Sequence, residues 1–170
     1  MPTIAYANPD QAATPPVPND RPQQQTDPAG FSRALAHNPR LFGAFAALSA
    51  AAEQTTLDPK LRELAYLAVS AVNGCTYGAY HHRRTGAAVG LTPRQIEEVS
   101  RFAASDAFDD LQKHVIRYAV QVARDVRPSK TLVATLKERL SDAEMMELTF
   151  TIGLASLTNR FNLAHGTELP

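Results

Sequence analysis

Three side chains able to move protons or electrons stand at fixed intervals in "ELAYLAVSAVNGCTYGAYHH": Glu63, Cys75 and His82. Cys75, the only cysteine of the chain, directly follows Asn73-Gly74, a pair that stops one helix before the next begins. That spacing puts the thiol in the first turn of its helix, where unpaired N–H groups and the helix dipole favour an anion. If Cys75 is a redox thiol, its pKa should lie below the roughly 8.5 of a free cysteine. A protonated His82 would lower it further and a nearby ionised Glu63 would raise it, so spacing leaves the sign of the sum open. His82 lies seven residues on, nearly two turns, and so on the same face. Gly78, between them, has no side chain and is expected to leave a gap where a small molecule or water sits between sulfur and imidazole. Glu63 belongs to the preceding helix. If the two helices pack antiparallel about Asn73-Gly74, it lies about three turns from the corner. Spacing alone therefore does not bring Glu63 to Cys75.

Each of these residues also has a plainer reading. Glu63 would serve equally as a solvated residue or an ion-pair partner of Arg62 or Arg83. His82 would be an ordinary helix histidine with His81 as its neighbour, and Cys75 a small buried hydrophobe, as free cysteines often are. A metal is not expected. Glu63, Cys75, His81 and His82 match no familiar zinc spacing, and consecutive histidines point about 100° apart on a helix.

The elements that must position these residues read as helices with clear punctuation. Asp27-Pro28 and Asp58-Pro59 each pair an N-cap with a proline at the first helical position. Asn38-Pro39 and Asn73-Gly74 break the chain, and Gly90 stops the helix expected from about Cys75 to Val89. Thr92, Pro93 and Gln95 form a capping-box start, as do Ser141 and Glu144. Leu111, Val115, Tyr118 and Val122 recur at helical spacing along one buried stripe. No segment alternates as a strand would. The fold is predicted to be all-α, one helical domain over residues 29–170 after an irregular, Pro- and Gln-rich tail over residues 1–28.

Composition narrows the function classes. Lys plus Arg and Asp plus Glu number 17 each, which gives no electrostatic case for nucleic acid or an anionic membrane. The apolar runs are too short to span a bilayer, and the start of the chain lacks a secretory-leader pattern. A single thiol cannot form an internal disulfide, so a reducing, cytoplasmic setting is expected. The alanine-rich apolar runs "FAALSAAA" and "LTFTIGLASL" exceed what a small helical monomer needs for one core, and either pack within one subunit or serve a homo-oligomer.

Taken together, "LRELAYLAVSAVNGCTYGAYHHRRTGAAVGLTPRQIEEV", the preceding "NPRLFGAFAALSAA" and the later "TNRFN" resemble the carboxymuconolactone decarboxylase-like and alkylhydroperoxidase D-like family. The resemblance implies an all-helical domain assembling as trimers or hexamers, with Glu63, Cys75 and His82 meeting in one pocket. Its peroxidase members cycle two cysteines between dithiol and disulfide, with the glutamate and histidine relaying protons. Its decarboxylase members lack that dithiol and act on a small lactone acid without a cofactor. The second motif cysteine would stand at position 78, where this chain has Gly78.

Two reaction classes and one inert alternative follow. In the first, a one-cysteine thiol peroxidase, Cys75 attacks a hydroperoxide, Glu63 and His82 relay protons, and an external thiol is the reductant. In the second, Glu63 and His82 act as acid and base in decarboxylation or isomerisation of a small carboxylic acid, with Arg83 or Arg84 holding its carboxylate. Gly78, Tyr66 and Arg83 are the expected substrate-binding residues in either case, and no cofactor is called for. The third reading is a helical oligomer that has lost its chemistry.

Overall fold

The computed structural model describes residues 30–170; the expected tail, with the Asp27-Pro28 start, lies outside the described residues. Among those residues the chain forms eight α-helices and no strand, as the sequence predicts. They are α1 (Gly30–Leu35), α2 (Pro39–Glu53), α3 (Pro59–Asn73), α4 (Thr76–Ala88), α5 (Pro93–Glu98), α6 (Asp110–Asp125), α7 (Lys130–Lys137) and α8 (Asp142–His165). A 3₁₀ turn, Val99–Arg101, continues α5. No helix among them is long and apolar enough to cross a membrane.

Helix starts follow the punctuation. Asn38, Asp58 and Thr92 each accept a backbone N–H from the first turn, with proline at the first helical positions of α2, α3 and α5. Thr92 with Gln95 closes a capping box, and Ser141 with Glu144 makes the same exchange at the start of α8. A further capping box, Asp109 with Gln112, opens α6. At the end of α3, Gly74 adopts φ +65°. The Cys75 N–H then reaches back to the Ser70 carbonyl at 2.9 Å. This is a Schellman stop, which needs a residue free to turn left-handed.

The described chain falls into two compact units. The smaller comprises residues 30–54 and 161–170, where Phe31 meets Phe45 and Phe161 edge-on at centroid distances of 4.9 and 5.0 Å. The larger is Thr55–Arg160 and carries every candidate site residue. Its centre is α3, buried almost all round by Leu61, Leu64, Ala65, Leu67, Ala68 and Val69. Val115, Ile116 and Ala119 of α6 and Leu148, Ile152 and Ala155 of α8 complete the same cluster. The alanines among these residues let helix backbones approach closely. Glu147 on α8 accepts from the Thr56 and Leu57 N–H groups and the Thr56 hydroxyl, fixing the chain that leads into α3.

Among the described residues, nothing covers one face of α8. Met146, Phe150 and Leu157 are 60%, 41% and 55% exposed. They recur at the i, i+4, i+11 spacing of a single stripe, and Gly153 between them faces open space.

Candidate functional site

Glu63 stands on α3 among leucines and alanines and is only 4% exposed. An unpaired carboxylate there would cost several kcal/mol in lost solvation. The helix that follows supplies its partners. The α3–α4 hairpin runs antiparallel about Gly74, so positions equally far from the corner stand opposite each other. His82 Nδ1 lies 2.9 Å from Glu63 Oε2, and the Thr85 hydroxyl donates to the same oxygen at 2.6 Å. Arg62 Nε approaches the other oxygen at 3.6 Å. Burial works to raise the Glu63 pKa, but the His82 hydrogen bond and charge, with Thr85 and Arg62, outweigh it. The net shift is downward, and Glu63 is a carboxylate at neutral pH.

That carboxylate sets the chemistry of His82. With Nδ1–H donated to Glu63, Nε2 is the ring nitrogen left to exchange a proton with a reactant. The ring cannot swing away, because Tyr66 stacks on it at 3.9 Å with planes 7° apart. Glu63, Thr85 and Tyr66 thus hold one tautomer of one histidine in one orientation. Neighbouring His81 differs: burial first, then the charges of His82 and Arg84, lower its pKa, and its Nε2 is buried with no hydrogen-bond partner among the described residues.

Cys75 is the N-cap of α4, one position ahead of the helix, and only 2% exposed. Its sulfur accepts the Gly78 N–H at 3.3 Å and receives a second backbone N–H from Tyr77. These donors pull the thiol pKa down, as a helix start should. Burial pulls harder in the other direction, and the net shift is upward. The sign left open by the sequence thus falls upward, against the lowering expected of a redox thiol at a helix start, because burial outweighs the two N–H donors.

Beside Cys75 opens a cavity of about 230 Å³. Its walls are Leu67, Ala71, Ala79, Ile96 and Val99, with Ser70, Thr76, Arg83, Glu97 and Ser100 as the polar part. Of the three residues expected to bind substrate, only Arg83 lines it. Tyr66 holds the His82 ring instead. The gap expected at Gly78 is filled, since an added Cβ would fall 2.4 Å from Asn159 Oδ1 and 2.7 Å from Ser70 Oγ. Glu63 and His82 meet each other, as the resemblance implied, but neither borders this cavity. Seven residues at 1.5 Å each separate Cys75 and His82 by about 10 Å along α4. Among the described residues no cluster of three or more His, Cys, Asp and Glu side chains is placed to hold a metal ion.

Residues 39–121, which include the α3–α4 hairpin, match the model of the carboxymuconolactone decarboxylase family. Over that span the chain is similar to this family. The fold agrees with solved structures of similar size. One, from Agrobacterium tumefaciens, is a protein of unknown function assigned provisionally to AhpD-type antioxidant defence. It superposes with a TM-score of 0.76 at 22% identity, covering 81% of this chain and 95% of that one. An uncharacterised peroxidase-related protein with an alkylhydroperoxidase AhpD core, from Ralstonia eutropha JMP134, gives 0.75 at 22% identity, covering 84% and 77%. The debrominase Bmp8, as a cysteine-to-alanine variant with 2,3,4-tribromopyrrole, gives 0.76 at 19% identity, covering 92% and 90%. At these identities the likeness is one of fold. No curated protein matches the chain.

Two residues of the site, Thr85 and Asn159, escape the sequence reading. Thr85 is three positions beyond His82 and therefore on its face, a signal present in the sequence. Asn159 lies within the "TNRFN" segment as a polar residue in an apolar helix, yet nothing local says which helix it meets.

Proposed function

We propose that the protein is a one-cysteine thiol peroxidase acting on organic hydroperoxides, with a small external thiol as reductant. The observation that carries this reading is the Cys75 sulfur itself, held by two helix N–H groups at the wall of a cavity large enough for a small organic molecule. The sulfur attacks one oxygen of the hydroperoxide, an S–O bond forms and the O–O bond breaks. The thiol proton passes to the leaving alkoxide by way of His82 Nε2, so the products are an alcohol and a Cys75 sulfenic acid. About 10 Å of helix lies between the two residues, so the relay runs through a substrate oxygen or water. A first external thiol condenses with the sulfenic acid, releasing water and leaving a mixed disulfide. A second thiol displaces it, regenerating Cys75 and releasing the oxidised reductant.

The raised thiol pKa makes the relay necessary rather than ornamental, because Cys75 rests protonated and must lose its proton within the step. A second cavity of about 250 Å³ shares Ala71, Val99 and Ser100 with the first and is otherwise lined by Ala68, Val72, Phe102, Val120 and Arg124. Its apolar lining supports an organic hydroperoxide over hydrogen peroxide. A cytoplasmic setting would supply the reductant. The test is thiol-dependent turnover of cumene hydroperoxide, followed as cumyl alcohol. Alcohol formed in step with thiol consumed is expected; no alcohol above the protein-free rate would end the proposal.

A second reading stays alive on one observation. The Glu63–His82 pair is complete without the sulfur and would serve as acid and base on a small carboxylic acid, with Arg83 at the cavity wall binding the carboxylate.

The exposed apolar stripe of α8 also supports a homo-oligomer in either case. Light scattering should give a multiple of 18.5 kDa; a monomer mass at micromolar concentration would contradict it.

A further inference from the structure

The space one turn beyond Cys75 is closed by two side chains from two different helices. Ser70, on α3, is 2% exposed, and Asn159, on α8, is 1% exposed. Asn159 Nδ2 donates to Ser70 Oγ at 3.4 Å. Both oxygens converge on the backbone of Gly78, at 2.4 and 2.7 Å from where a Cβ would sit. Real Cβ atoms essentially never come within 3.0 Å of another heavy atom. Neither side chain has an easy retreat, since each is a buried polar group that must keep a hydrogen-bond partner. Ser70 is tied in further through its carbonyl, which accepts the Cys75 N–H.

We infer that Asn159, backed by Ser70, is the specificity-determining residue of this site. It acts as a polar wedge that excludes any side chain at position 78 and so confines the site to a single thiol. Glycine there is a packing requirement imposed from α8. Oxidised Cys75 then has no neighbour to resolve it, and the cavity on the Ala79 and Ser100 side is the route left for an external thiol. The steric part of this inference stands whether or not Cys75 reduces peroxide.

The wedge is tested by stability and by an equilibrium disulfide, neither of which needs catalytic activity. Gly78→Ala should lower the thermal midpoint by several degrees, although alanine is the better helix former. The same substitution in a Ser70→Ala/Asn159→Ala background should cost clearly less. Gly78→Cys is then equilibrated in a dithiothreitol redox buffer, alone and in that background, and the disulfide between Cys75 and the introduced thiol is read by intact mass. Its equilibrium constant should be larger by about tenfold when the wedge is removed, the size of one relieved close contact in a core. Equal disulfide formation in the two backgrounds overturns the inference. Should the relieved background not fold, Gly78→Ala alone decides: a midpoint at or above that of the parent overturns the wedge, and a clear drop upholds it.

Discussion

Cys75→Ser should abolish hydroperoxide reduction while leaving the protein as stable as before. The loss is complete because a serine hydroxyl cannot be oxidised to a sulfenic acid equivalent. Stability should survive because of where the residue stands. Cys75 is the N-cap of α4, and its sulfur accepts the Gly78 N–H. Serine is among the preferred N-caps, with an oxygen that accepts the same bond more strongly than sulfur. Its smaller volume in a buried position works the other way, and the two effects should cancel to within about 1 kcal/mol. A thermal midpoint close to that of the parent, with activity at background, is the expected pair of results. Retained turnover in Cys75→Ser would move the chemistry to Glu63 and His82.

His82→Gln and Glu63→Gln should each slow the reaction severely, for different reasons. His82→Gln removes the imidazole held between a carboxylate and an aromatic plane. Loss of a positioned acid–base group costs roughly 10²–10⁴ in rate. Glu63→Gln leaves the imidazole in place, but an amide can donate to Nδ1 and stabilise the tautomer with the proton on Nε2, which is then no longer a base. A rate loss of about 10² or more should follow.

Glu63→Gln also carries a stability signature. The folded-state pKa of Glu63 is lowered, so its contribution is fully present above the unfolded glutamate value of about 4.3. It is lost as pH falls from there through the lower folded value. Unfolding titrations should therefore show the parent losing stability on acidification in that window, and Glu63→Gln losing less. Identical acid limbs would mean that the buried pair contributes nothing to folding.

Helix boundaries were readable from sequence because their causes are local. Asp58 and Pro59, Asn73 and Gly74, and Thr92 with Gln95 set helix ends through bonds within a few residues, and the structure places helix ends at each. The Glu63–His82 contact is of another kind. It depends on the register of two helices across Gly74, which spacing alone leaves open; only the family resemblance pointed to it. Two features that the sequence left open or placed otherwise share a single cause. The upward shift of the Cys75 thiol and the filling of the space at Gly78 both come from tertiary packing, the first from burial of the corner and the second from Asn159, 81 positions along the chain from Gly78. No local pattern in α4 announces what α8 brings against it.

The central claim is that Cys75 is oxidised by an organic hydroperoxide and stops at the one-thiol stage. Its most direct measurement is intact and peptide mass spectrometry after one equivalent of cumene hydroperoxide at neutral pH, with dimedone present and no reductant. The account predicts one dimedone adduct per chain, carried by Cys75, and one equivalent of cumyl alcohol. An unmodified Cys75 with the hydroperoxide intact would contradict it.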